Sequence, residues 1–172
     1  MLYVGSIIPR KHLKEIVEAL ALLPKDLQIP LVVVGNGTTY KKEVLERIQQ
    51  LSLGSNVKFL QPDYEDLAAI YQLAKLLIYP SEYEGFGLPI LEALYAHIPV
   101  ITALNSSLPE AGGEGALYVD KVSGERLAVA IEKVLVDQDF THKMITKGQQ
   151  HLKHFDAQNL SNQLVVLYKA LV

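Results

Sequence analysis

Short apolar runs alternate along the chain with segments whose apolar residues recur every three to four positions. Runs at residues 2–5, 29–35, 57–60, 76–80, 99–103 and 115–119 have strand length and strand composition. Between them, residues 11–23 place Leu13, Ile16, Val17, Leu20 and Leu23 on one helical face, and Pro24 ends the segment. Residues 39–51 repeat the pattern with Val44, Leu45, Ile48 and Leu51. Further helices are predicted at 64–74, with Asp63 as N-cap, and at 88–96, with a short helical turn at 107–111. Three more helices, at 123–136, 140–151 and 157–171, form a helical tail.

Strands that alternate with helices predict a parallel sheet covered on both sides. The strands are continuous apolar runs, as burial of both faces requires. The expected fold is therefore α/β, a doubly wound, Rossmann-like parallel sheet with C-terminal helices in one domain. Such folds bind ligands at the carboxyl ends of their strands. That rule selects five loops, at residues 5–11, 35–39, 60–63, 81–87 and 103–110.

The 172 residues carry a formal net charge of -3, which disfavours a nucleic-acid partner. There is no cysteine, so disulfides, thiolate metal sites and a cysteine nucleophile are excluded. The five histidines show no metal-ligand spacing with carboxylates, and no metal or other cofactor is expected. No apolar run reaches the length of a membrane span, and residues 1–5 lack a basic leader. The expected location is cytoplasmic. The chain opens directly on a strand, which reads as one domain of a longer protein.

Two segments hold the candidate chemistry. Residues 80–94, Pro-Ser-Glu-Tyr-Glu-Gly-Phe-Gly-Leu-Pro-Ile-Leu-Glu-Ala-Leu, follow a strand and open a helix. Gly85 and Gly87 allow a ligand close to the backbone, and Pro89 suits a first helical turn. The free N–H groups there, with the helix dipole, form a seat for phosphate or sugar hydroxyls. Glu84 and Glu92 lie eight residues apart, and a carboxylate accepts hydrogen bonds from vicinal hydroxyls. Composition alone leaves Glu84 open as a helix cap and Glu92 as a solvated helix residue. The second segment, Gly5-Ser-Ile-Ile-Pro-Arg-Lys-His, places Arg10 and Lys11 at a helix start, where the dipole disfavours cations and an anion would compensate.

Taken in order, Tyr3-Val4-Gly5, Pro9-Arg10-Lys11, Val32-Val33-Val34-Gly35, Val57-Lys58-Phe59-Leu60, Ala69-Ile70-Tyr71, Tyr79-Pro80-Ser81, the Glu84–Glu92 block, Ile98-Pro99-Val100 and Leu108-Pro109-Glu110-Ala111-Gly112 resemble the C-terminal domain of retaining GT-B glycosyltransferases of family 4, the group 1 transferases. The block from Glu84 to Glu92 is similar to that family's E-x7-E motif. The resemblance implies transfer of a hexosyl group from a nucleotide-diphosphate sugar, with retention and without a metal. It implies that Arg10 and Lys11 neutralise the donor diphosphate and that Glu84 faces the transferred sugar. Glu92 would hold the ribose, and the N–H groups of Phe86, Gly87 and Leu88, beside Gly85, would bind sugar hydroxyls or phosphate. Gly35 and Leu60 would flank the base, and Ser6 stands where many relatives carry Arg. The acceptor domain of such an enzyme is absent from these residues, so it is an expected partner in the same protein, and any peripheral membrane contact would come through the whole protein. The last helix resembles the segment that crosses back to that domain, and its apolar stripe would be exposed here. Alternatives are another GT-B enzyme, such as a nucleotide-sugar epimerase or glycogen-type synthase, and a non-catalytic nucleotide- or sugar-binding module. A receiver-like module would want an acidic cluster after the first strand, which Gly5-Ser6 does not supply.

Overall fold

The structure, a computed structural model, describes residues 1–171. Its strands are β1 (Leu2–Val4), β2 (Leu31–Val34), β3 (Val57–Leu60), β4 (Leu77–Tyr79), β5 (Val100–Ala103) and β6 (Ala116–Val119). They form one sheet in the order β3-β2-β1-β4-β5-β6, with every pairing parallel. The order runs outward in both directions from the β1/β4 pair. Loops leaving these two strands therefore diverge to opposite sides and open a crevice between them.

The helices are α1 (Leu13–Leu22), α2 (Thr39–Gln50), α3 (Leu67–Leu73), α4 (Leu88–Tyr95), α5 (Leu108–Gly112), α6 (Gly124–Val136), α7 (Gln138–Leu152) and α8 (Ala157–Ala170). One core layer packs Tyr3, Leu31, Val33, Ile78 and Ile101 under α1, α2 and α6. The other packs Leu2, Val34, Leu77, Tyr79 and Val100 under α3, α4 and α5. Alternate residues of each strand thus enter opposite layers, which is why the strands are apolar throughout. Each buried Leu, Ile or Val contributes about 1.5–3 kcal/mol of transfer free energy, so the two layers fix the strand ends firmly.

Three helical expectations change. The segment at 11–23 is not one helix. Pro9–Lys11 forms a separate 3-10 turn, His12 adopts a left-handed conformation at φ 56, and α1 begins at Leu13. Arg10 and Lys11 are therefore displaced from the first turn of α1. The segment at 64–74 splits likewise into a 3-10 turn, Tyr64–Asp66, and α3, and the Asp63 side chain makes no capping bond. Nor is the end of the chain a uniform tail. Here α6 packs on α1 and α7 packs on α4, whereas α8 has no buried residue among the described residues. Its Leu160, Leu164, Leu167, Tyr168 and Leu171 are exposed, as the resemblance implied.

Gly35 closes the base of the crevice. Its φ is +151, and a Cβ there would lie 1.9 Å from the Gly5 carbonyl oxygen. The two loops nest at this point, with Gly5 N–H bonded to the Val34 carbonyl at 2.9 Å and Ile7 N–H to that of Asn36 at 2.7 Å. Gly35→Ala should lower unfolding stability by about 2–4 kcal/mol, from backbone strain added to a steric clash. Urea unfolding measures this, and a loss below about 1 kcal/mol would contradict the close packing of the loops.

Candidate functional site

The crevice brings together three charged side chains that the sequence places far apart. Arg10 Nη1 lies 3.0 Å from Glu84 Oε1, and Lys11 Nζ lies 3.2 Å from the same oxygen. Lys11 is buried, so its charge must be paired. Its ammonium also donates to the Tyr79 hydroxyl at 3.0 Å. Arg10 reaches Ser81 Oγ at 3.3 Å and the Tyr83 carbonyl, and the Arg10 carbonyl accepts from Glu82 N–H at 2.8 Å. The loop after β1 and the loop after β4 thus form one unit. Burial alone would raise the Glu84 carboxyl. Hydrogen bonds from Ser81 and Tyr79 and the Lys11 charge outweigh burial and hold it below the usual carboxylate range.

Glu84 does not cap α4. The N-cap is Gly87, in the left-handed region at φ 109, with Pro89 inside the first turn. Ser107 Oγ donates to the Glu84 and Phe86 carbonyls at 3.0 and 2.9 Å, and Ser106 Oγ donates to the Glu84 carbonyl at 2.7 Å. These bonds hold the loop with its carbonyls turned to the serines. Among the described residues the N–H groups of Phe86, Gly87 and Leu88 have no protein acceptor. The Phe86 ring packs edge-on against Phe155, with centroids 5.5 Å apart. A Cβ on Gly85 would meet nothing within 4 Å, so the space beside that backbone is open.

Glu92, in the second turn of α4, borders a separate cleft of about 440 Å³ between α3 and α4. Tyr64, Glu65, Tyr71 and Tyr95 share its walls. Glu92 accepts a hydrogen bond from the Tyr71 hydroxyl at 2.6 Å. Burial, and then this bond to a carboxylate, push the Tyr71 hydroxyl well above its usual range. No ion pair among the described residues includes Glu92, so its charge stays unneutralised.

The other candidates lie apart. Ser6 is exposed, and its carbonyl accepts from the Tyr3 hydroxyl at 2.8 Å. Gly35 is taken up by loop nesting. Leu60 does not line the Glu92 cleft but an apolar one of about 390 Å³ with Met1, Leu2 and Ile70. Tyr71, Tyr79, Ser81, Ser106 and Ser107 join the site only in the folded structure. The density of serines around the two loops is the signal in the sequence for backbone pinning.

His12, between the two loops, makes a further tie. Its Nδ1 lies 3.3 Å from Glu15 Oε1 and its Nε2 3.1 Å from Glu82 Oε1. The Glu15 interaction, joined by the Glu82 charge, outweighs burial and raises the imidazole above its usual value. A raised pKa contributes stability that is full below the unfolded value of about 6.5 and is lost as pH rises through the folded value. Unfolding measured from about pH 5.5 to 8.5 should show this loss, and His12→Gln should flatten it. Equal pH slopes in the two proteins would contradict the tie.

Comparison with known proteins agrees with this architecture. The sequence model of the glycosyl transferases group 1 family matches residues 1–151. The O-antigen chain mannosyltransferase B of Escherichia coli is 32% identical over 174 residues. That match covers 99% of this chain and 45% of the relative, so the chain spans about half of that protein. The solved C-terminal domain of the group 1 glycosyl transferase LpcC from Francisella tularensis superposes with a TM-score of 0.76 at 25% identity, covering 88% of this chain and 83% of that one. Anabaena Alr3699/HepE, solved in complex with UDP, has the same fold at a TM-score of 0.87 and 24% identity, covering 98% of this chain and 48% of that one. Among the described residues no helix is long and apolar enough to cross a membrane. With its family sequence pattern matched over most of its length, the chain belongs to the glycosyl transferases group 1 family.

Proposed function

We propose that this chain is the donor-binding part of a retaining, metal-independent GT-B hexosyltransferase, with the acceptor site on another domain of the same protein. The observation that carries the reading is the Arg10–Lys11 pair beside unpaired N–H groups at the start of α4. An anion seated there would meet two cations and the positive end of a helix. Glu84 pairs with both cations in this structure. A donor diphosphate would take their charge over and leave Glu84 facing the sugar.

The chemistry follows from that placement. Cleavage of the sugar–phosphate bond builds negative charge on the leaving diphosphate. Arg10, Lys11 and the α4 N-terminus would stabilise it without reorganisation of the loops. The free Glu92 carboxylate oxygen suits the ribose diol, because a neutral ligand leaves its charge in place. The mannosyltransferase relative makes mannose the first donor sugar to test. The half-length match supports a second domain.

Calorimetric titration with UDP, GDP and ADP, without metal, should find saturable binding of at least one. Glu92→Ala should weaken it by about 1.5–3 kcal/mol, the range for a lost bond to a charged group. Joint Arg10→Ala and Lys11→Ala should weaken the diphosphate much more than the corresponding nucleoside. Equal losses for nucleotide and nucleoside would refute the phosphate role, and unchanged affinity in Glu92→Ala would refute the ribose role. Because the space beside Gly85 is open, Gly85→Ala should change stability by less than about 0.5 kcal/mol. The same change should still weaken donor binding in the titration, and unaltered affinity would argue against close ligand approach at Gly85.

A further inference from the structure

Tyr71 is only 2% exposed, within the apolar layer between α3 and α4. Leucine or phenylalanine would fill that position without the cost of burying a hydroxyl. The hydroxyl instead emerges at the wall of the 440 Å³ cleft and donates to Glu92 Oε2. At 2.6 Å the bond lies in the short range of charge-assisted O–H···O⁻ pairs. Glu92 is otherwise exposed, has no partner cation among the described residues, and sits on a flexible side chain. Untethered, it would sample several rotamers, and ordering it would subtract from any binding it makes. A carboxylate has about four acceptor sites on its two oxygens. Tyr71 uses one on Oε2, and Oε1 has no hydrogen-bond partner among the described residues.

We propose that Tyr71 is a positioning residue that presets the Glu92 carboxylate to receive the two ribose hydroxyls of the donor nucleotide, and so sets the preference for a ribonucleotide over its 2′-deoxy form. The inference rests on the donor-site reading, because it requires Glu92 to meet the ribose. A hydroxyl that served packing alone would support both sugars equally. One that aims the carboxylate supports only the ligand with a complete diol.

The test measures affinities of UDP, GDP, ADP and their 2′-deoxy forms for the parent chain, Tyr71→Phe and Glu92→Ala. Thermal unfolding of each variant is followed alongside. The parent should prefer the ribonucleotide by about tenfold or more, as loss of one bond to a charged group implies. Glu92→Ala should abolish the preference. Tyr71→Phe should reduce it at least about threefold through the ribonucleotide alone, with deoxynucleotide affinity unchanged. If Glu92→Ala removes the preference while Tyr71→Phe keeps it whole, the positioning role is overturned and the donor-site reading stands. If Tyr71→Phe weakens both sugars equally, its role is packing and the inference is again overturned. If the parent shows no preference, or binds none of the three ribonucleotides at millimolar concentration, the ribose reading of Glu92 fails and takes this inference with it.

Discussion

The Lys11 ammonium is nearly buried, and a buried charge persists only where partners satisfy it. Glu84 and the Tyr79 hydroxyl are those partners, and both belong to the segment after β4 or to its last residue. Pairing Lys11 therefore fixes the loop after β1 against the loop after β4. Those loops diverge because strand order reverses between β1 and β4. The ion pair spans the point where the strand order reverses. Gly35, nested on Gly5, and the serine pins from the β5–α5 loop hold the same crevice from either side.

The two carboxylates of the motif are set in opposite electrostatic conditions. Glu84 is largely buried and shared by two cations, which hold it ionised. Glu92 is exposed, free of cations among the described residues, and tethered by one neutral hydroxyl. The first arrangement suits exchange with a second anion. The second suits a neutral diol. A spacing of eight residues separates them because Gly87 turns the chain between loop and helix at a positive φ.

Much of this was legible in the sequence. Apolar runs located all six strands to within a residue or two, and their alternation with helices gave the doubly wound sheet. The block around Glu84 and Glu92 stood out by its glycines and by its place between a strand and a helix. The break at His12 was hidden because Leu13, Ile16 and Val17 extend a helical period that Arg10 and Lys11 do not oppose. A left-handed conformation at a residue other than glycine leaves no mark on that pattern. The partnership of Arg10 with Glu84 was equally silent, since 74 residues separate them and only the sheet order joins them. Tyr71 entered only as part of the Ala69-Ile70-Tyr71 string, with no role of its own. Its hydroxyl gains meaning only when α4 lies beside α3. The helices α6 and α7 looked like a tail because helical period records that a face is buried, not what covers it.

We propose that the Arg10–Lys11 pair, bound to Glu84 in this structure, receives the donor diphosphate. A crystal structure of the chain with bound UDP or GDP tests it most directly. Phosphate oxygens should lie about 2.7–3.2 Å from Lys11 Nζ, from the Arg10 guanidinium and from the N–H groups at the start of α4, with Glu84 released toward the crevice. A nucleotide bound with its phosphates away from both cations, and the Lys11–Glu84 pair intact, would contradict it.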